Sequence, residues 1–74
     1  MPPVTSKQLA QRKAFGVRVR EERLKRGITQ EQLAHRAELD RSYVGQVERG
    51  ERNVSLDNIY RLANALSIEA DSLV

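Results

Sequence analysis

An all-α fold of five short helices around one small core is what this sequence predicts, and three observations predict it. Apolar residues recur at helical spacing, most clearly at Leu56, Ile59, Leu62, Ala63 and Leu66, and no stretch alternates polar and apolar long enough for a strand. Helix-starting and helix-stopping residues follow one another at short intervals from Gly27 to Ser55. Both prolines stand within the first three residues, so the rest of the chain lacks the strongest helix breaker.

Each element has its own local cause. Met1 to Thr5 reads as a loose tail, with residues 6–74 as the folded domain. The first helix is expected from about Ser6 to Arg26, ended by Gly27 with basic residues in its last turn. Thr29 starts the second, and Gln32 three residues later completes a capping-box pattern; this helix carries Leu33, Ala34 and Ala37 and stops near Glu38. Asp40 is the expected N-cap of a third helix, Arg41 to Arg49, closed by Gly50. Ser55 caps the fourth, which holds the apolar stripe that runs from Leu56 to Leu66, and a fifth short turn runs from about Ala70 to Leu73.

The second and third helices are separated only by Glu38, Leu39 and Asp40, a link so short that their axes must cross steeply. Ala34 supplies the small side chain that such a crossing needs. Leu33, Ala37, Leu39, Val44 and Val47 can fill the space beneath. This is a helix-turn-helix pattern; an ordinary helical hairpin in a bundle is the plainer alternative.

At this point residues 15–73 resemble the phage-repressor (Cro/C1, or XRE) helix-turn-helix family of DNA-binding proteins. The matching residues are Phe15-Gly16, Val19, Arg23, Gly27-Ile28-Thr29-Gln30, Leu33-Ala34, Val47-Glu48-Arg49-Gly50, Ser55-Leu56 and Leu62-Ala63. A narrower likeness, in Leu39-Asp40-Arg41-Ser42-Tyr43-Val44, Glu48-Arg49-Gly50 and Arg52-Asn53-Val54-Ser55-Leu56, is to the controller proteins of restriction–modification systems. The resemblance implies transcriptional control, including control of the chain's own operon, with RNA polymerase as a further partner if the regulator activates. A phage-type or stand-alone repressor, an antitoxin of the same fold, and a helical adaptor that binds no DNA are the alternatives. Two positions depart from the family pattern: Glu38 stands where glycine is usual, and Glu22 where an apolar residue is usual.

Composition sets outer bounds. The chain has 74 residues, 39% of them apolar, and no cysteine, so a thin core must form without disulfides or thiolate metal sites. That size excludes large multi-step enzymes and transporters, and the lack of a long apolar run excludes a membrane-spanning helix. A cytoplasmic protein stabilised by a partner subunit is expected, with no cofactor or metal. His35, the one histidine, has no ligand companions at zinc spacing and is expected to be exposed. The net charge of +3 is uneven: residues 7–26 carry +6, residues 27–53 carry −1 and residues 54–74 carry −2. Charge alone therefore does not make the helix-turn-helix region a DNA binder; which face each arginine occupies must. The basic run admits simple solvation, extended DNA contact or an interfacial membrane helix; its apolar residues form no single wide face, which counts against the membrane, and solvation is preferred with generic attraction to DNA as a secondary effect.

On the third helix Val44, Val47 and Glu48 share one face, while Ser42, Gln46 and Arg49 point the opposite way. A forked guanidinium suits guanine acceptors and a carboxamide suits an adenine edge, so Arg41 and Gln46 are the expected base readers, with Ser42 adaptable. Tyr43 is a further candidate base reader, its ring against thymine methyls or a deformed base step or its hydroxyl at a phosphate; the alternative is that it packs against the fourth helix. Gln30, with the free amides at the start of its helix, and Arg49, Arg52, Asn53 and Arg36 are expected to meet phosphates. Arg23 continues the stripe of Phe15 and Val19, and Glu48 shares the inward face of Val44; a buried ion pair is expected, two exposed charges being the alternative. The C-terminal apolar residues Leu66, Ile68, Leu73 and Val74 are expected to form a homodimer surface, so that two copies read a palindrome-like site in double-stranded DNA.

Overall fold

The computed structural model describes residues 2–74, in which four α-helices and one closing 3₁₀ turn stand where five helices are expected. The helices are α1 (Ser6–Lys25), α2 (Gln30–Ala37), α3 (Arg41–Glu48) and α4 (Leu56–Leu66). The last element, Ala70–Ser72, is a single turn of three residues, too short for the i to i+4 ladder of an α-helix. No described helix is long and apolar enough to cross a membrane.

Local chemistry sets the boundaries. Thr5, expected in a loose tail, is tied down: its hydroxyl accepts from the Gln8 amide at 3.1 Å while the Gln8 side chain accepts from the Thr5 amide at 2.9 Å. Met1 lies outside the described residues. Thr29 and Gln32 close the same reciprocal pair at the start of α2. Asp40 holds the N-cap position of α3 with extended backbone but makes no side-chain hydrogen bond to it. Ser55 caps α4 through the Asn58 amide.

The turn from α2 to α3 passes through Glu38 in the left-handed region, φ 57° and ψ 42°. Two hydrogen bonds hold it there, Glu38 N to His35 O at 3.2 Å and Leu39 N to Ala34 O at 2.8 Å. Ser67 ends α4 in the same conformation, which lets the chain reverse and lay Leu73 on the core.

Phe15 and Val19 of α1, Leu33, Ala34 and Ala37 of α2, Val44 and Val47 of α3, and Leu62, Ala63 and Leu66 of α4 form that core. Leu56, expected on the inward stripe, is exposed instead, because it opens α4 one turn before the helix reaches the core. Two glycines bring α1 against the end of α3. A β-carbon on Gly16 would collide with the carbonyl oxygens of Val47 and Glu48. One on Gly50, at φ +77°, would stand 2.7 Å from the Lys13 Cα. The crossing of α1 over the C-terminal end of α3 is therefore fixed by backbone against backbone.

Candidate nucleic-acid interface

Helix α3 is held from behind and open in front. Val44, Gly45, Val47 and Glu48 are buried, whereas Arg41, Ser42 and Arg49 are exposed and Gln46 is half-buried. Ser42, Gln46 and Arg49 thus form one outward strip, and Arg41 stands at the first residue, free to reach past the helix end. Arg41 makes no ion pair among the described residues. Its planar fork is thus available for two parallel acceptors, the pattern guanine presents in a major groove.

Behind the strip, a charged clamp joins three helices. Arg23 donates from Nε to Glu48 Oε2 at 2.7 Å and from Nη2 to Oε1 at 3.0 Å, while its Nη1 donates to the Ile28 carbonyl at 2.9 Å. Gln30 adds a bond from Nε2 to Glu48 Oε1 at 3.1 Å. The hydrogen bonds to Glu48 raise the pKa of Arg23 above its ordinary value, against the opposing effect of burial. No buried side-chain polar atom of the described residues lacks a partner, which is the condition under which burying such a pair is tolerable. The end of α1, the start of α2 and the end of α3 are thereby set in one orientation.

Gln30 also carries a structural task that was not expected of it. Its amide nitrogen donates to Glu48, and beside it the first turn of α2 has backbone N–H groups without an intrahelical partner. Gly45 lies beneath this arrangement, where an added β-carbon would meet Arg49 Nη1 at 3.3 Å and Gln30 Oε1 at 3.6 Å. The space next to Gly45 is occupied by the chain's own side chains. Sequence reasoning missed the Gln30 bond; the signal for it is only that Gln30 follows the cap that brings α2 against Glu48.

The segment after α3 gathers the other cations. Arg49 is bound at two of its three side-chain nitrogens by Glu51, Nε to Oε2 at 3.0 Å and Nη2 to Oε1 at 3.3 Å, and that bonding holds the Glu51 carboxyl below its usual range. Arg52 lies over the Tyr43 ring, 5.1 Å from its centroid. The Asn58 amide donates to the Tyr43 hydroxyl at 3.0 Å. Tyr43 is half-buried in the seam between α3 and α4, and it steers Arg52. Asn53 is exposed on the same loop, and Arg36 is exposed on α2. Glu51 and Asn58 did not stand out in the sequence, since acidic and amide residues in a loop and at a helix start have ordinary uses.

Two of the expected dimer residues require correction. Leu66 and Leu73 have no accessible surface: the turn at Ser67 folds the chain back, and both side chains fill the protomer's own core. Ile68 is half-buried and Val74 is 69% exposed, so only these two retain surface for a partner. Leu56 and Tyr60, one turn apart on α4, add exposed apolar surface that the sequence reading did not assign.

A family model described as helix-turn-helix matches residues 19–73. The chain belongs to the helix-turn-helix family. Its helix-turn-helix domain is 46% identical over 61 residues to the control protein C.BamHI of Bacillus amyloliquefaciens, which covers 81% of this chain and 75% of that protein. The crystal structure of the restriction-modification controller protein C.AhdI from Aeromonas hydrophila matches with a TM-score of 0.86 at 57% identity, covering 88% of this chain and 98% of that one. The controller protein C.Esp1396I, crystallised as a tetramer with its natural 35 base-pair operator, matches with a TM-score of 0.76 at 29% identity, covering 80% and 78% of the two chains.

Proposed function

We propose that this helix-turn-helix protein is a sequence-specific, double-stranded-DNA-binding transcriptional regulator, a restriction–modification controller that acts as a homodimer on its own operon. The observation that carries the reading is α3: its inner face is locked by core contacts and the Arg23–Glu48 clamp, and its outer face presents Arg41, Ser42, Gln46 and Arg49. A helix that is rigid behind and polar in front suits a major groove, because base edges are read only by side chains held in register. Arg41 and Gln46 read bases, Ser42 adapts, and Arg49, Arg52, Asn53, Arg36 and the start of α2 at Gln30 fix the phosphate backbone. Tyr43 acts through Arg52. RNA polymerase enters only where the bound regulator activates.

The likeness to C.BamHI and C.AhdI supports the controller reading, and the operator complex of C.Esp1396I supports both DNA and self-association. One domain contacts few base pairs, so two related by a dyad would read half-sites about one helical turn, roughly 10 bp, apart. Ile68 and Val74, together with Leu56 and Tyr60, supply the surface for the partner copy. A gel shift with duplex DNA at two salt concentrations tests the function. Binding that weakens steeply with salt supports it, and no retarded band at either concentration overturns it.

A further inference from the structure

Apart from Arg23, the basic run of α1 is not used by the site described above, and its cations are not equivalent. Arg23 is paired with Glu48, and Lys25 and Arg26 are paired with Glu22. Lys7, Arg12, Lys13, Arg18 and Arg20 make no ion pair among the described residues. Of these, Arg12 alone is half-buried and shares a depression with another arginine. That depression, of about 290 Å³, is lined by the apolar Phe15, Ile59 and Val74 and by Gln8, Arg12, Arg52 and Asn53. No aspartate or glutamate lines it.

Position and charge together suggest its occupant. Gly50 locks the backbone of α1 at Lys13 against the turn that ends α3, so Arg12 is carried to the loop of Arg52 and Asn53. Gln8 stands one turn before Arg12 on the same face of α1. Arg52 is steered by the Tyr43 ring, a residue of α3 itself. Two guanidinium groups that border one depression with no aspartate or glutamate in its lining favour an anion between them. The polyanion nearest to this edge of α3 is the backbone of the DNA whose bases α3 would read.

We propose that Arg12 and Arg52, with Gln8 and Asn53 beside them, form a phosphate clamp that grips the DNA backbone flanking the bases read by α3. The clamp rests on the DNA-binding reading above. It gives α1 a part in binding, and it acts on every sequence alike, since a phosphate carries no base information.

The test is fluorescence anisotropy of the full chain with two labelled duplexes, one selected from a random pool by its binding to the protein and one of scrambled sequence. Arg12→Gln should weaken binding to both duplexes by the same factor. It should also lower the slope of log affinity against log salt by about 0.9, the loss of one phosphate contact. Raising salt from about 50 to about 200 mM should then weaken the variant about threefold less than the wild type. Arg12→Lys should keep most of the slope, and Arg18→Gln, on another face of α1, should match the wild type. Thermal melting of each variant separates lost contact from lost folding. If the wild type binds while folded Arg12→Gln retains wild-type affinity and slope at both duplexes, the clamp is wrong. If the wild type itself binds neither duplex, the DNA-binding reading fails first.

Discussion

Glu51 is the residue whose removal would most sharply expose what Arg49 does. Its carboxylate occupies two nitrogens of an arginine that a phosphate would also claim. The pair is exposed and therefore weak, so DNA can displace it. Glu51→Gln should tighten binding to any duplex and steepen its salt dependence, by up to about 0.9 in log–log slope if one phosphate contact is gained. An unchanged slope in a salt titration, together with a wild-type slope for Arg49→Gln, would mean that Arg49 makes no such contact. The pH dependence has a definite sign. Hydrogen bonding to Arg49 lowers the folded-state pKa of Glu51, so its small contribution to stability is present above the ordinary carboxylate range and is lost as pH falls through the lowered value. Arg26 does the same for Glu22, the polar departure on α1, which is satisfied there by Arg26 and Lys25.

The elements depend on a few backbone decisions. Arg23→Ala should lower stability by about 3–5 kcal/mol, since it leaves the Glu48 carboxylate buried with only Gln30 as a side-chain partner. Near-normal melting would contradict the structural role of the clamp. Glu38→Gly should have the opposite effect, raising stability by about 1 kcal/mol, because glycine adopts the left-handed turn without steric cost; a lower melting temperature would contradict it. The helix starts at Thr29 and Ser55 and the stops at Gly27 and Gly50 are legible because each uses a residue type with one strong local purpose. The charges at positions 23 and 48 are legible because they interrupt apolar stripes. Other features come from tertiary geometry and leave a fainter trace. Thr5 and Gln8 carry the same capping pattern as Thr29 and Gln32, yet the prolines before them suggest a tail. Ser67 gives no warning of a left-handed turn, so the burial of Leu73 could not be foreseen from its place near the C-terminus, whereas Leu66 already stands on the apolar stripe of α4.

At the scale of the molecule, the longest dimension is 36 Å and α1 alone, at 20 residues, spans about 30 Å of it. That helix braces α3 from behind through Gly16 and Gly50, while the core stays small. Exposed Leu56, Tyr60 and Val74 leave apolar surface that a second copy would cover. Sedimentation of the full chain at micromolar concentration should therefore give a dimer, and replacing Tyr60 and Val74 by serine should give a folded monomer with weaker DNA binding. A wild type that stays monomeric both free and on DNA would contradict the homodimer. The central claim, that α3 reads sequence, is tested most directly by selecting duplexes from a random pool and comparing the best one with its scrambled form at physiological salt. The wild type should prefer the selected duplex by about 10³-fold or more. Arg41→Ala should lose about 1–3 kcal/mol of that preference while its affinity for the scrambled duplex changes little. A pool without enriched sequences, or an Arg41→Ala variant that discriminates as well as the wild type, would contradict the account.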